Sequence, residues 1–235
     1  LCDPIPTWFP SASLKGEHRY TEVFLNTTGK VLDTAAICPT EPQNKVREAE
    51  AVLRKLIDKY GITLFSVGNG TASRESEKII TDFFKKEGRP LQYVIVNEAG
   101  ASVYSASKLA TEEFPQFDVG QRSAASIARR LQDPLAELVK IDPKAIVVGQ
   151  YQHDMNQKKL DGALEGVVEK CVNMVGVDLN TASAPLLSHI SGISAQVAKN
   201  IVAWREENGS FSARRQLLKV KGLGPRAYEQ CAGFL

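Results

Sequence analysis

Close cysteine pairs are missing from this sequence. Cys2, Cys38, Cys171 and Cys231 are scattered, with no CxxC spacing. That argues against a zinc ribbon or a secreted disulfide framework, and it leaves ordinary reduced thiols in a cytoplasmic protein as the expectation. No apolar run approaches the length that crosses a bilayer, so no membrane partner is expected. The start has no basic segment followed by an apolar one, as a signal peptide would. Low-complexity tracts are absent too. With 29 Lys/Arg against 27 Asp/Glu, the net charge is only +2. A polyanion-binding surface would therefore have to be local.

What is present suits a packed protein. The 235 residues are 43% apolar and 24% charged, enough for one large domain or a medium one with a small companion. After a proline-interrupted opening, Tyr20 to Leu25 and Lys30 to Cys38 read as a hairpin across Thr28-Gly29. Thr40 and Gln43 match a capping box for a helix whose apolar stripe is Val46, Ala49, Val52, Leu53, Leu56, Ile57 and Tyr60. Strands are expected over Ile62 to Val67 and Leu91 to Val96, with a helix between them from about Ser73 to Lys86. This order implies an α/β sheet. Further helices are expected over 101–113 and 120–131, then a short apolar element at 146–148. The domain ranges are 1–149 for the α/β part, 150–175 for a linker and connecting helix, and 176–235 for a region of short helices punctuated by glycine.

That last region contains a repeat. Ile190-Ser191-Gly192-Ile193-Ser194 parallels Val220-Lys221-Gly222-Leu223-Gly224. Asn180 or Thr181 is expected to cap the helix before the first segment, and Ser212 the helix before the second. A glycine at each bend permits backbone forbidden to other residues and leaves no side chain in the way. Unpaired amides at the following helix start can then approach a phosphate. Ile193 and Leu223 are expected to plug the space between helices. Lys199, Lys219, Lys221 and Arg226 lie close enough to add charge, as does Arg205. The candidate nucleic-acid contacts are thus Gly192, Ile193, Ser194, Lys199, Lys219, Lys221, Gly222, Leu223, Gly224 and Arg226. Such contacts grip backbone phosphates, so binding should be sequence-independent and salt-sensitive. The plainer alternatives are that the glycines only cap helices, or that the bends dock a protein.

Several strings are distinctive: Gly68-Asn69-Gly70-Thr71-Ala72-Ser73-Arg74-Glu75, Asn97-Glu98-Ala99-Gly100-Ala101-Ser102, Arg129-Arg130-Leu131-Gln132-Asp133-Pro134, Gly149-Gln150-Tyr151-Gln152-His153-Asp154 and Gly176-Val177-Asp178-Leu179-Asn180-Thr181-Ala182-Ser183. With the paired bends, these strings closely resemble the Tex family of bacterial transcription accessory proteins. The resemblance runs from about Gly29 to the end. It implies an α/β ribonuclease-H-like domain of the YqgF type, followed by a small all-α tandem helix-hairpin-helix domain. It also implies RNA or DNA as partner, with the transcription or translation machinery as a further one. Together with Leu1 at the start and Leu235 at the end, it suggests a piece of a longer chain with further domains on both sides. Ile5 to Glu22 departs from the family's glycine-containing first strand and turn.

A ribonuclease-H-like nuclease needs several carboxylates converging on Mg²⁺. The candidates by position are Asp3, Glu98 and Asp133, and Mg²⁺ is expected only under that alternative. The binding reading requires no cofactor. Each carboxylate also has a plain reading, Glu98 and Asp133 as helix caps and Asp3 as a terminal residue. Gly68-Asn69-Gly70 lacks a Gly-Lys-Ser/Thr ending, so a tight strand-to-helix turn is expected there. His18, His153 and His189 have no ligand spacing. Ser102 and Ser105 lack a visible base, which leaves no case for a nucleophile. A protein-interaction scaffold is the third functional class.

Overall fold

Strand alternation sets the two faces of the N-terminal sheet. In the computed structural model, which describes residues 5–12, 18–26, 29–70, 73–146 and 149–235, Tyr20 and Phe24 enter one buried cluster. Val23 and Leu25 enter another. Successive strand side chains point to opposite faces, so this one strand serves two cores. The sheet holds β1 (Ile5–Ala12), β2 (His18–Leu25), β3 (Val31–Ile37), β4 (Leu64–Gly68) and β5 (Gln92–Val96) in the order β3-β2-β1-β4-β5. The first three pair antiparallel, whereas β1–β4 and β4–β5 pair parallel. Parallel neighbours need crossovers. The links are α1 (Val46–Tyr60), ahead of β4, and α2 (Ser73–Glu87), between β4 and β5.

Helix α1 buries Ala49, Leu53, Leu56 and Ile57 and stops at Gly61, whose φ of 65° admits the left-handed turn. It starts at Val46 and not at Thr40, because Asn44 takes φ 47° and its amide closes a turn onto Thr40 O. Thr40 and Gln43 are therefore turn residues. The helix expected over 101–113 is two helices, α3 (Ala101–Ser105) and α4 (Lys108–Glu113). Ser107 restarts the helix by accepting a bond from the Ala110 amide. Helix α5 (Val119–Gln132) opens on a full capping box between Asp118 and Gln121. It buries Ser123, Ala124, Ala125, Ser126, Ile127 and Ala128, small residues for the most part. Ala124, Ala125 and Ala128 join the cluster of Val23 and Leu25. The N-terminal unit is thus an α/β sheet with a core on each face, the ribonuclease-H-like arrangement.

The chain divides into two compact units, Leu1–Pro134 and Leu135–Leu235. Residues 135–149, read from sequence with the first domain, fall in the second unit. The reason is apolar: Leu135, Ala136 and Val139 pack on the C-terminal core. The second unit has α6 (Pro134–Leu138) at its edge. It continues with α7 (Gln157–Val175), α8 (Ala184–Leu187), α9 (Ala195–Asn208), a 3-10 turn (Arg214–Lys219) and α10 (Pro225–Cys231). A 3-10 turn over Pro143–Ile146 takes part of the expected apolar element, and 147–148 lie outside the described residues.

Its core joins Val172, Leu179, Leu186, Leu187, Ile190, Val197, Ile201, Phe211, Leu217, Val220 and Cys231. Trp204 stacks on Phe211 at 4.2 Å. The caps differ from expectation. Ser183, not Asn180 or Thr181, is the N-cap position of α8. Ahead of the 3-10 turn the bonding runs the other way, since the Gln216 carboxamide accepts from the Ser212 and Ala213 amides. Among the described residues, no helix is long and apolar enough to cross a membrane.

Candidate nucleic-acid interface

The two glycine bends have the same geometry. Gly192 and Gly222 sit at φ 84° and φ 88°, the left-handed region that disfavours any side chain. In each bend the next residue's amide closes a turn. Ile193 N–H donates to Ile190 O at 3.0 Å, and Leu223 N–H donates to Val220 O at 3.2 Å. Ile193 and Leu223 are buried in the helical core, as the plug reading requires. Gly192, Ser194, Lys199, Lys219, Lys221, Gly222, Gly224 and Arg226 are all exposed. The bends therefore show their backbone to solvent while their apolar residues fasten them beneath.

The helix starts differ between the bends. Ser194 Oγ accepts the Val197 amide at 3.3 Å, so this side chain is a cap as well as a candidate contact. Gly224 offers no such cap, and Pro225 follows it. The remaining first-turn amides of both helices have no acceptor within their own helix.

Charge completes the surface. From Gly176 to Leu235 there are seven Lys/Arg and four Asp/Glu. None of the ion pairs of the described residues involves a residue of this stretch. Two of the seven cations have structural partners. Arg205 donates to the carbonyls of Leu179 and Ala182 at 3.0 and 3.1 Å. Arg214 donates to Leu235 O at 2.6 Å. Arg205, counted from sequence among the available charges, is thus a brace. Lys199, Lys219, Lys221 and Arg226 face water, and so does Arg215, which the repeat does not single out.

Asparagines hold the bends, and the repeat pattern gives no sign of them. Asn173 on α7 donates to His189 O at 3.1 Å and accepts the Ser191 amide at 3.1 Å. Asn200 on α9 donates to Lys221 O at 2.7 Å. Asn180 clamps Phe211 by both its carboxamide atoms, at 3.1 and 2.7 Å. Asparagine in a sequence reads first as a turn residue. Only the fold shows these amides reaching across to main chain.

Among the described residues, the candidate carboxylates form no comparable site. Asp3 lies outside the described residues. Asp133 is exposed at the C-terminal cap of α5. Glu98 follows β5, half-buried over Gly70, with burial raising its carboxyl above the usual range while the Gly70 amide and Arg130 pull it down. Its Oε2 has no hydrogen-bond partner among the described residues. The N-cap position of the next helix is Gly100, so Glu98 is not that cap. No group of three His, Cys, Asp or Glu among the described residues could hold a metal ion. Among the described residues, Glu98 and Asp133 therefore do not make the converging oxygen set that Mg²⁺ needs.

Comparison with known proteins decides the family. A model of the Tex protein YqgF-like domain matches residues 20–132, and a helix-hairpin-helix motif model matches 172–235. The chain belongs to the Tex family. It is 58% identical over 212 residues to Protein YhgF of Escherichia coli, covering 90% of this chain and 27% of that protein. To the transcriptional accessory protein Tex of Neisseria gonorrhoeae it is 56% identical over 214 residues, 90% of this chain and 28% of that protein. The human S1 RNA-binding domain-containing protein 1 is 54% identical over 192 residues, 80% of this chain and 19% of that protein. The chain therefore spans under a third of the length of these relatives.

Proposed function

We propose that this chain is the nucleic-acid-holding part of a cytoplasmic transcription accessory protein, gripping the sugar–phosphate backbone of RNA or DNA without reading its bases. The observation that carries the reading is the pairing of two exposed left-handed glycine bends with cations that have no carboxylate partner among the described residues. Exposed N–H groups beside Lys199, Lys219, Lys221 and Arg226 make a surface complementary to phosphate oxygens. Ile193 and Leu223 keep the bends in place without touching the ligand. The reading needs no metal or other cofactor. The names of two relatives, one a transcriptional accessory protein and one an S1 RNA-binding domain-containing protein, agree with it. The transcription or translation machinery is the partner through which such a protein would act, and domains beyond this chain would join it there.

Salt-titrated binding of the whole chain to single- and double-stranded RNA and DNA of mixed sequence tests the reading. The affinity should fall linearly with log salt, with a slope of about −0.9 per phosphate on duplex DNA and about −0.7 on single strands. Changing the base sequence should have little effect. Failure to retain any of the four probes at low salt would overturn the reading.

A further inference from the structure

The two bends are not independent. An added Cβ at Gly192 would meet Gln230 Cβ at 2.9 Å and Ala227 O at 3.1 Å, both on α10. An added Cβ at Gly222 would meet Val197 Cγ2 at 3.5 Å and Asn200 Nδ2 at 3.8 Å, both on α9. Each bend thus leans on the second helix of the other hairpin. Among the described residues, one polar link crosses this seam directly to a bend. Asn200 Nδ2 donates to the Lys221 carbonyl at 2.7 Å, and Gln196 Nε2 donates to Asn200 Oδ1 at 3.1 Å, fixing which way the carboxamide faces.

We infer that Asn200 is a positioning residue for nucleic-acid binding: from the first hairpin it holds the Lys221-Gly222 bend of the second, so that the two bends form one clamp of set spacing. The inference rests on the binding reading above. It adds a residue that contributes through the bend it holds. A carbonyl held by Asn200 fixes the peptide plane between Lys221 and Gly222, and hence the direction in which the Gly222 amide points. It also fixes the start of the Lys221 side chain. Neutral hydrogen bonds have modest net worth for folding. A phosphate contact, however, depends steeply on where its donor sits. The expected signature is a larger effect on binding than on stability.

The test uses the whole chain, a mixed-sequence DNA duplex and a single-stranded RNA as probes, and the variants Asn200→Ala, Asn200→Gln, Lys221→Ala and Asn200→Ala with Lys221→Ala. Alanine at position 200 keeps α9 helical, since it is the best helix former. Wild-type binding is measured first, because its absence would defeat the underlying reading itself. Given binding, Asn200→Ala should weaken it by about three- to tenfold on the scale of one hydrogen bond. Its salt slope on duplex DNA should become shallower by about 0.9 for each phosphate that is no longer neutralised. Asn200→Gln, which keeps the amide donor, should recover most of the affinity. The double variant should be no weaker than the worse single, because both changes act through one bend. If Asn200→Ala does not fold, Asn200→Leu, which keeps the side chain's size and lacks the donor, carries the same cycle with Lys221→Ala. Additive losses with an unchanged salt slope, or Asn200→Ala binding like wild type, would overturn the inference while leaving the binding reading intact.

Discussion

In the N-terminal unit many cations face carboxylates; in the hairpin region, among the described residues, none does. Arg54 pairs with Glu87, Lys59 with Asp33, Lys86 with Glu50, Arg89 with Asp58 and Arg129 with Glu113. The Lys59 ammonium beside Asp33 holds that carboxyl below its usual range. Between Gly176 and Leu235 no such pair forms among the described residues. Exposed pairs add little stability, but they leave less positive potential for an outside anion. A net charge of +2 averages over these two arrangements and conceals the second.

The interiors differ as well. Glu137 of the C-terminal unit is buried against Lys140 Nζ at 2.7 Å. Glu22 of the N-terminal unit is 1% exposed, and neither of its oxygens has a hydrogen-bond partner among the described residues. Burial alone pushes its carboxyl up to about 8. The sign follows from where the proton is held more tightly. The folded carboxyl binds it up to about pH 8, and the unfolded one only up to about pH 4.5. Stability is therefore complete below about pH 4.5 and falls as pH rises to about 8.

The largest expected effect tests this contrast. Glu22→Leu should raise the stability of the N-terminal unit at pH above 8 by about 3–5 kcal/mol and flatten its pH dependence. Denaturant titrations at acid and alkaline pH would measure it, and an unchanged alkaline stability would erase the difference between the interiors. A smaller effect separates the two bends. Gly192→Ala should destabilise the C-terminal unit by about 2–3 kcal/mol, because a methyl there meets the Ala227 carbonyl. Gly222→Ala meets only ordinary contacts and should lose about 1–2 kcal/mol. Equal losses in thermal melts would show that the bends are seated alike.

The smallest effect belongs to single charges. Lys199→Ala and Arg226→Ala should each make the duplex salt slope shallower by about 0.9 and leave the melting temperature in place. Lys59→Ala and Lys86→Ala should leave the slope unchanged. A reversal would move the polyanion site to the other unit.

The bends are legible in the sequence because their requirement is local. A left-handed turn followed by a helix start needs glycine in a fixed place, and a buried plug must be apolar, so Gly192-Ile193 and Gly222-Leu223 stand out. Four of the five strands are legible for a similar reason, from short apolar runs beside turn signals, whereas the central β1 is not, because its prolines read as breaks in any regular element. What cannot be read depends on distant partners. Arg205 looks like an available cation until its carbonyl acceptors are known. Asn173 and Asn200 look like turn residues until the backbone they hold is in place. Thr40 and Gln43 have a capping-box spacing, yet Asn44 turns the chain before a helix can start. Leu135 and Val139 join the second unit through packing that no neighbouring residue signals. The family resemblance raises the nuclease question, and the described residues do not bring Glu98 and Asp133 into a metal-holding group.

The most direct test of the central claim is amide hydrogen exchange across the whole chain, with and without a saturating mixed-sequence duplex. The account predicts new protection confined to residues 191–197 and 221–227, weakening as salt is raised. Unchanged exchange at both bends, with protection appearing on the sheet unit instead, would contradict it.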